Sequence, residues 1–181
     1  VTQATGTAAG KKYESDGGPG IRGVLELLQG AIQPLENRLH FLRSQFVFWL
    51  LGAIDGHGKN FSLALLPGAD YRLTPLYDVL CAYPAVEANE LHEKDLAMAM
   101  ALEGRNRHYK WLEIQPRHWI ETAARSGLTR PRVEEALDDV MEQVPKVFAQ
   151  IQADVQAVSA IVGVPIVDRK AMAAKRFQRQ R

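Results

Sequence analysis

The segment Asp55-Gly-His-Gly-Lys-Asn60 brings a carboxylate, an imidazole, an ammonium and an amide into one short polar stretch. Gly56 and Gly58 allow the backbone to turn tightly and to approach a ligand closely. A second carboxylate, Asp78, follows downstream. Carboxylate and amide oxygens are hard ligands, and Mg²⁺ favours them in company with phosphate oxygens. Phosphoryl transfer needs such a set. One carboxylate orients the attacking hydroxyl and takes its proton, while an amide oxygen and a second carboxylate hold Mg²⁺ on the nucleotide phosphates. A cation near the γ-phosphate stabilises the charge that develops there. Taken as residues alone, Asp55 and Asn60 also fit loop caps after a helix, Asp78 a helix cap, and His57 a solvated turn residue. Lys59 fits either reading.

The elements around these residues decide whether they can meet. Leu35, Leu39, Leu42, Phe46 and Trp49 recur at helical spacing, which predicts a helix with Arg38, Arg43 and Gln45 on its other faces. The run Phe46 to Leu51 is apolar all round, so the end of that helix is expected to be buried, with Gly52 closing it. After the polar stretch, Phe61, Leu63 and Leu65 alternate with Ser62 and Ala64, a strand pattern. Pro67 to Asp70 reads as a turn and Tyr71 to Leu73 as the returning strand. A hairpin brings its two ends together, so Asp55, Asn60 and Asp78 can converge.

Elsewhere, residues 1–20 read as a loop and Ile21 to Gly30 as a short helix. Residues 84–110 give no clear period, and Leu96 to Met100 fits a strand or a helix start. Pro116 opens a helix through Arg125 that stops at Gly127. Pro131 opens another, with a stripe from Val133 to Ile151 that Pro145 is expected to kink. Residues 165–181 form a basic tail, expected as a helix after Pro165 and read first as a solvated face. No internal repeat or domain boundary stands out. The fold class expected is mainly α with a small β-hairpin.

At 181 residues the chain fits one domain or one lobe of a larger protein. Its net charge of +1 singles out no partner class. The single cysteine, Cys81, excludes an internal disulfide and points to a reducing compartment, so the cytoplasm is the default. The longest apolar run, Phe46 to Ile54, is too short to span a bilayer, and no membrane role is expected. His40, His92, His108 and His118 show no metal-ligand spacing.

The spacing from Asp55 to Asn60 equals that of the protein-kinase catalytic loop, and Asp78 takes the place of the metal-binding Asp of D-F-G. The text here is Leu76-Tyr-Asp-Val79, however, and the histidine follows Asp55 instead of preceding it. That histidine order also resembles the loop of phosphoinositide-type kinases. The longer strings Trp49-Leu-Leu-Gly-Ala-Ile-Asp-Gly-His-Gly-Lys-Asn-Phe-Ser62 and Tyr71-Arg-Leu-Thr-Pro-Leu-Tyr-Asp78 closely resemble the C-terminal region of HipA-like kinases. Lys12-Tyr-Glu-Ser-Asp-Gly-Gly-Pro-Gly-Ile21 and Pro116-Arg-His-Trp119 are similar to that family too. The resemblance covers roughly residues 1 to 150.

The resemblance implies the C-terminal lobe of a protein-kinase-like fold, spanning residues 1–181 with the basic tail. It implies a serine/threonine-protein kinase toxin of a type II toxin–antitoxin system that transfers the ATP γ-phosphate to a protein hydroxyl. Asp55 would be the proton acceptor. His57, Gly58, Lys59 and Asn60 would contact ATP, Tyr77 would sit beside the nucleotide, and Asn60 and Asp78 would bind Mg²⁺. The family's known target is glutamyl-tRNA synthetase, and its antitoxin partner is the helix-turn-helix protein HipB, through which the toxin reaches operator DNA. The family's own DNA contacts fall near Ala124 to Leu128, where Arg125 is the cation. A kinase also needs a phosphate-covering loop and a lysine on the α/β-phosphates. Asp16-Gly-Gly-Pro-Gly20 supplies neither, because Pro19 removes a donor and no lysine follows in register. The expectation is that an N-terminal lobe precedes Val1 in the whole protein and that the isolated lobe is inactive. A non-catalytic antitoxin-binding and corepressor module is the alternative.

Overall fold

The computed structural model describes residues 1–8 and 10–162. The basic stretch 165–181, with its expected helix, lies outside the described residues. The chain divides into two compact units, Val1–Ala136 and Leu137–Arg181.

The first unit is built around one long helix. Helix α1 (Ile21–Leu27) runs into a tighter turn at Leu28–Gly30, and α2 (Pro34–Leu51) follows. Gly52, at φ 61°, ends α2 as expected and donates its N–H to the Phe48 and Trp49 carbonyls. Phe41, Leu42, Phe46, Phe48 and Trp49 are buried, so the second half of α2 is the centre of the core. Each fully buried Phe or Leu contributes about 2 kcal/mol through the surface it removes from water.

Some positions of α2 depart from the expected stripe. Leu35 is 43% exposed, whereas Asn37, Arg38 and Gln45 are buried. Each buried polar side chain reaches a partner distant in the chain. Asn37 accepts the Leu73 N–H at 2.6 Å and donates to the Ile32 carbonyl at 2.6 Å. Arg38 donates to the Ser126 carbonyl. Gln45 donates to the Met100 sulfur at 3.6 Å. Periodicity places Arg38 and Gln45 off the apolar face, but a polar group can be buried where a hydrogen bond meets it.

Strands β1 (Leu63–Leu65) and β2 (Tyr71–Leu73) form the expected antiparallel hairpin, with Leu63 opposite Leu73 and Leu65 opposite Tyr71. It is docked on α2 through Asn37 and on α1 through the Tyr71 hydroxyl, which donates to the Leu27 carbonyl at 2.5 Å. Helix α3 (Tyr83–Glu87) comes next. A second hairpin then forms from β3 (Ala97–Glu103) and β4 (Arg107–Lys110), so the described residues hold two hairpins where one was expected. Met98 to Leu102 are all buried. A strand buried on both faces has no alternation to read, which is why this segment fits two element types in the sequence.

Helix α4 (Pro116–Arg125) begins and ends where its proline and glycine place it and packs Trp119 against Phe46 and Trp49. Helix α5 (Arg130–Val162) begins in the first unit, where Val133 and Ala136 are buried. In the second unit it continues past Pro145, which removes one backbone donor without ending the helix. Val147, Phe148 and Ile151 on this part are exposed. Among the described residues no helix is long and apolar enough to cross a membrane.

Candidate active site

The polar segment 55–60 is the link between α2 and β1, and its start is fixed by the end of α2. There, two tryptophans exchange hydrogen bonds. The Trp49 indole donates to the Trp111 carbonyl at 3.2 Å, and the Trp111 indole donates to the Trp49 carbonyl at 2.7 Å. The Ala53 N–H then bonds the Phe48 carbonyl at 2.8 Å. Both glycines of the segment are required by space. A Cβ on Gly56 would lie 2.3 Å from the Phe48 ring, and one on Gly58 would lie 2.5 Å from Pro19.

The loop is closed by its own polar groups. The His57 N–H lies 2.9 Å from the Asp55 carbonyl and 3.0 Å from Asn60 Oδ1, and the Asn60 N–H bonds the His57 carbonyl at 3.0 Å. Asn60 is buried and spends its amide on both sides of the site. Its Oδ1 faces the His57 N–H, and its Nδ2 donates to Asp78 Oδ2 at 2.6 Å across the hairpin. Asn60 and Asp78 therefore meet directly. Asp55 is linked to Asn60 by its backbone, since its carbonyl shares the His57 N–H with Asn60 Oδ1.

Asp55 is 41% exposed at its side chain, and three groups crowd a single oxygen, Oδ1. The Tyr13 hydroxyl donates to it at 2.5 Å, Lys12 Nζ lies at 3.6 Å and His57 Nε2 at 3.7 Å. Oδ2 carries no hydrogen bond among the described residues. The Lys12 ammonium is held above its ordinary range, first by its contact with the Tyr13 hydroxyl and then, against some loss of solvent, by the Asp55 charge. His57 is buried, with its ring edge-on to Tyr13 at 5.3 Å and its Nδ1 without a partner among the described residues. It is not the solvated turn residue that the local sequence also allows.

Asp78 is exposed and sits at φ 56°, a left-handed conformation uncommon for a residue with a Cβ. Tyr77 is 41% exposed. Its hydroxyl lies 2.7 Å from the Ser62 hydroxyl and donates to the Lys59 carbonyl at 2.9 Å, which ties the Asp78 segment to the polar loop. The Lys59 side chain is exposed. Arg125, the cation at the end of α4, donates to the Gly104 carbonyl at 2.7 Å and so braces the second hairpin.

Lys12 and Tyr13 are site residues that spacing could not identify, since Tyr13 meets Asp55 across 42 positions. The only signal was the string Lys12 to Ile21, whose family likeness carried no local reason. Its neighbour Glu14 holds the segment in place by accepting the Ala101 N–H at 2.6 Å, with Arg107 at 3.5 Å. Burial pushes the Glu14 carboxyl up, and the Ala101 bond and the Arg107 charge oppose that.

Among the described residues no group of three or more His, Cys, Asp or Glu side chains is placed to hold a metal ion. A Mg²⁺–nucleotide site asks less, because phosphate oxygens and water complete its shell. Asn60 Oδ1 has a second lone pair beyond the one facing His57, and Asp78 Oδ1 carries no hydrogen bond among the described residues. The donor set fits the ion.

Comparison with known proteins gives a consistent picture. Residues 1–148 match the family model of the HipA-like C-terminal domain. A protein of Sinorhizobium fredii (strain NBRC 101917 / NGR234) named Putative kinase Y4mE is 29% identical over 155 residues, which cover 84% of this chain and 34% of the relative. The chain thus spans about a third of the length of that relative. The fold matches a chain of the Shewanella oneidensis MR-1 toxin–antitoxin complex of HipA, HipB and operator DNA. That match has a TM-score of 0.71 at 20% identity and covers 98% of this chain and 40% of the other. Fold and family model agree with the mainly helical lobe expected from the motifs, and the chain belongs to the HipA-like C-terminal domain family.

Proposed function

We propose that the chain supplies the base and the Mg²⁺ ligands of an ATP-dependent serine/threonine-protein kinase site. The observation that carries this is the 2.6 Å contact between Asn60 and Asp78 across the hairpin, with the backbone carbonyl of Asp55 sharing the His57 N–H with Asn60 Oδ1. Asp55 orients the acceptor hydroxyl and takes its proton on Oδ2 as the hydroxyl oxygen bonds the γ-phosphorus. The bond from that phosphorus to the β–γ bridging oxygen breaks, and ADP carries the bond's electrons away. Asn60 and Asp78 hold Mg²⁺, which neutralises charge on the phosphates when bound. Gly58, Lys59 and Tyr77 are assigned to the nucleotide, with the Tyr77 hydroxyl bonded to the Lys59 carbonyl. The Lys59 ammonium is free to reach phosphate, whereas the buried His57 contributes through its peptide N–H and by shaping the loop.

The name of the Sinorhizobium relative supports a kinase, and the Shewanella complex supports a toxin–antitoxin setting. In that setting the acceptor is a protein hydroxyl, with glutamyl-tRNA synthetase as the family's target. The partner is a HipB-like helix-turn-helix antitoxin that links the protein to DNA. The same complex favours a second reading, a corepressor module that binds the antitoxin without turnover. The test is Asp55→Asn and Asp78→Asn in the full-length protein, read by phosphate transfer from labelled ATP and by growth arrest. A large fall in transfer is expected in both variants, in Asp78→Asn at the Mg²⁺ concentration that suffices for the parent. Transfer at the parent rate under those conditions in either variant rejects the assignment, and antitoxin binding with no transfer in the parent protein selects the corepressor reading.

A further inference from the structure

We infer that Tyr13 is a positioning residue for Asp55: its hydroxyl fixes Oδ1 so that Oδ2 is presented to the acceptor hydroxyl. The inference rests on the kinase reading above and deepens it. A carboxylate that must orient a substrate hydroxyl loses rate if its plane rotates freely, because alignment contributes much of the barrier reduction. Asp55 is 41% exposed, so packing alone does not fix that plane. Tyr13 supplies the missing constraint with a 2.5 Å bond from a phenol that is itself held. Its ring meets the buried His57 edge-on and lies under the Lys12 ammonium at 4.7 Å. Its backbone is held as well. The Tyr13 carbonyl accepts the N–H groups of Asp16 and Gly18, and a Cβ on Gly18 would lie 2.6 Å from that carbonyl oxygen. The next residue, Glu14, is bonded to β3 through the Ala101 N–H. Lys12 Nζ and His57 Nε2 also approach Oδ1, at 3.6 and 3.7 Å. All three groups approach the same oxygen, and Oδ2 carries no hydrogen bond among the described residues.

The test is Tyr13→Phe in the full-length protein, alone and combined with Asp55→Asn. The phenyl ring keeps the ring contacts to His57 and Lys12 and removes the hydroxyl with its bonds to Asp55 and Lys12. The expected result is a fall in kcat of about 10- to 100-fold with KM for ATP and for the acceptor unchanged. No further loss is expected when the change is added to Asp55→Asn, because a residue that acts through Asp55 has nothing left to position. A kcat within twofold of the parent overturns the inference, as does an undiminished second loss in the Asp55→Asn background. If Asp55→Asn itself keeps full activity, the kinase assignment falls and the inference falls with it. Full activity in Tyr13→Phe beside an inactive Asp55→Asn removes the inference alone. Should Tyr13→Phe fail to fold, a difluorotyrosine at position 13 keeps the ring and the hydroxyl. Its kcat is expected to fall with rising pH as the fluorophenol ionises and ceases to donate, over a range where the parent is flat. A flat profile there overturns the inference.

Discussion

The two acids of the site are held in opposite ways. Asp55 is surrounded: Tyr13, Lys12 and His57 all approach one of its oxygens, from a loop and a segment packed so closely that Gly56 and Gly58 have no room for a Cβ. Asp78 has one side-chain bond among the described residues, from Asn60, and is an exposed residue at φ 56°. The contrast matches the two tasks. A base must keep one orientation before substrate arrives, so the protein does the ordering in advance. A metal ligand can complete its geometry when the ion binds, because the ion and its phosphates are part of the shell.

The largest expected effect comes from the ordered side. Asp55→Asn keeps the size of the side chain and removes the proton acceptor. It should lower kcat by about 10²- to 10⁴-fold, with the thermal midpoint little changed. Steady-state kinetics and a melting curve on the full-length protein check this. A kcat that falls together with the midpoint would mean that Asp55 holds the fold, and the contrast with Asp78 would collapse.

Asp78→Asn probes the open side. Asparagine tolerates left-handed backbone, so the fold should be unaffected. Losing a charged ligand should raise the Mg²⁺ concentration needed for half-maximal rate by about tenfold or more, with part of the rate recovered at high Mg²⁺. Titration of rate against Mg²⁺ measures it. A defect that no Mg²⁺ concentration relieves would move Asp78 from ligand to structural residue.

Gly56→Ala tests whether the Asp55 loop owes its order to packing. The new methyl would stand 2.3 Å from the Phe48 ring at the centre of the core. Overpacking of this kind should cost about 1–3 kcal/mol, seen as a lower urea midpoint with an unchanged slope. Gly68, at φ 82° in the exposed turn of the hairpin, has no atom within 4 Å of a new Cβ, so Gly68→Ala should show only the smaller backbone penalty. Equal losses at the two positions would show that the loop is not packed as tightly as its geometry implies.

The same contrast explains what could be read in the sequence. The Asp55 to Asn60 segment, the first hairpin and Asp78 were legible because all three are local. A glycine ends the helix, alternation marks the strands, and a hairpin must close. The restraint on Asp55 was not legible, since Tyr13 lies 42 positions away and no period connects them. Arg38 and Gln45 fall off the apolar face because helical periodicity sorts residues by polarity, yet both are buried. It cannot see a carbonyl of Ser126 or an N–H of Leu73 that comes from another element. Strand β3 escaped for the opposite reason: Met98 to Leu102 are uniformly apolar because both faces are covered, and uniformity has no period.

The smallest effect concerns acid, and it separates stability from the site altogether. His118 is buried, and its pKa is lowered first by that burial, then by His108 and Arg117, with Glu121 opposing. The His108 ring stacks on it at 3.8 Å. Burial also lowers His40, helped by Arg43 and opposed by the bond to Thr74. A histidine whose folded pKa is depressed binds fewer protons in the folded state than in the unfolded chain. Its contribution to stability is therefore complete above the unfolded value near 6.5 and is lost as pH falls through the lower folded value. Stability should decline as the pH is lowered from about 6.5, and His118→Gln should flatten that decline. Urea unfolding at a series of pH values measures both slopes. His118 packs at the second hairpin and α4, on elements that hold neither Asp55 nor Asp78. If activity falls with acid at the same pH in His118→Gln as in the parent while the stability slope differs, the acid response of the rate belongs to the site. If rate and stability move together, the ordered side of the site depends on the second hairpin, through the bond from the Ala101 N–H to Glu14 that holds the Tyr13 segment.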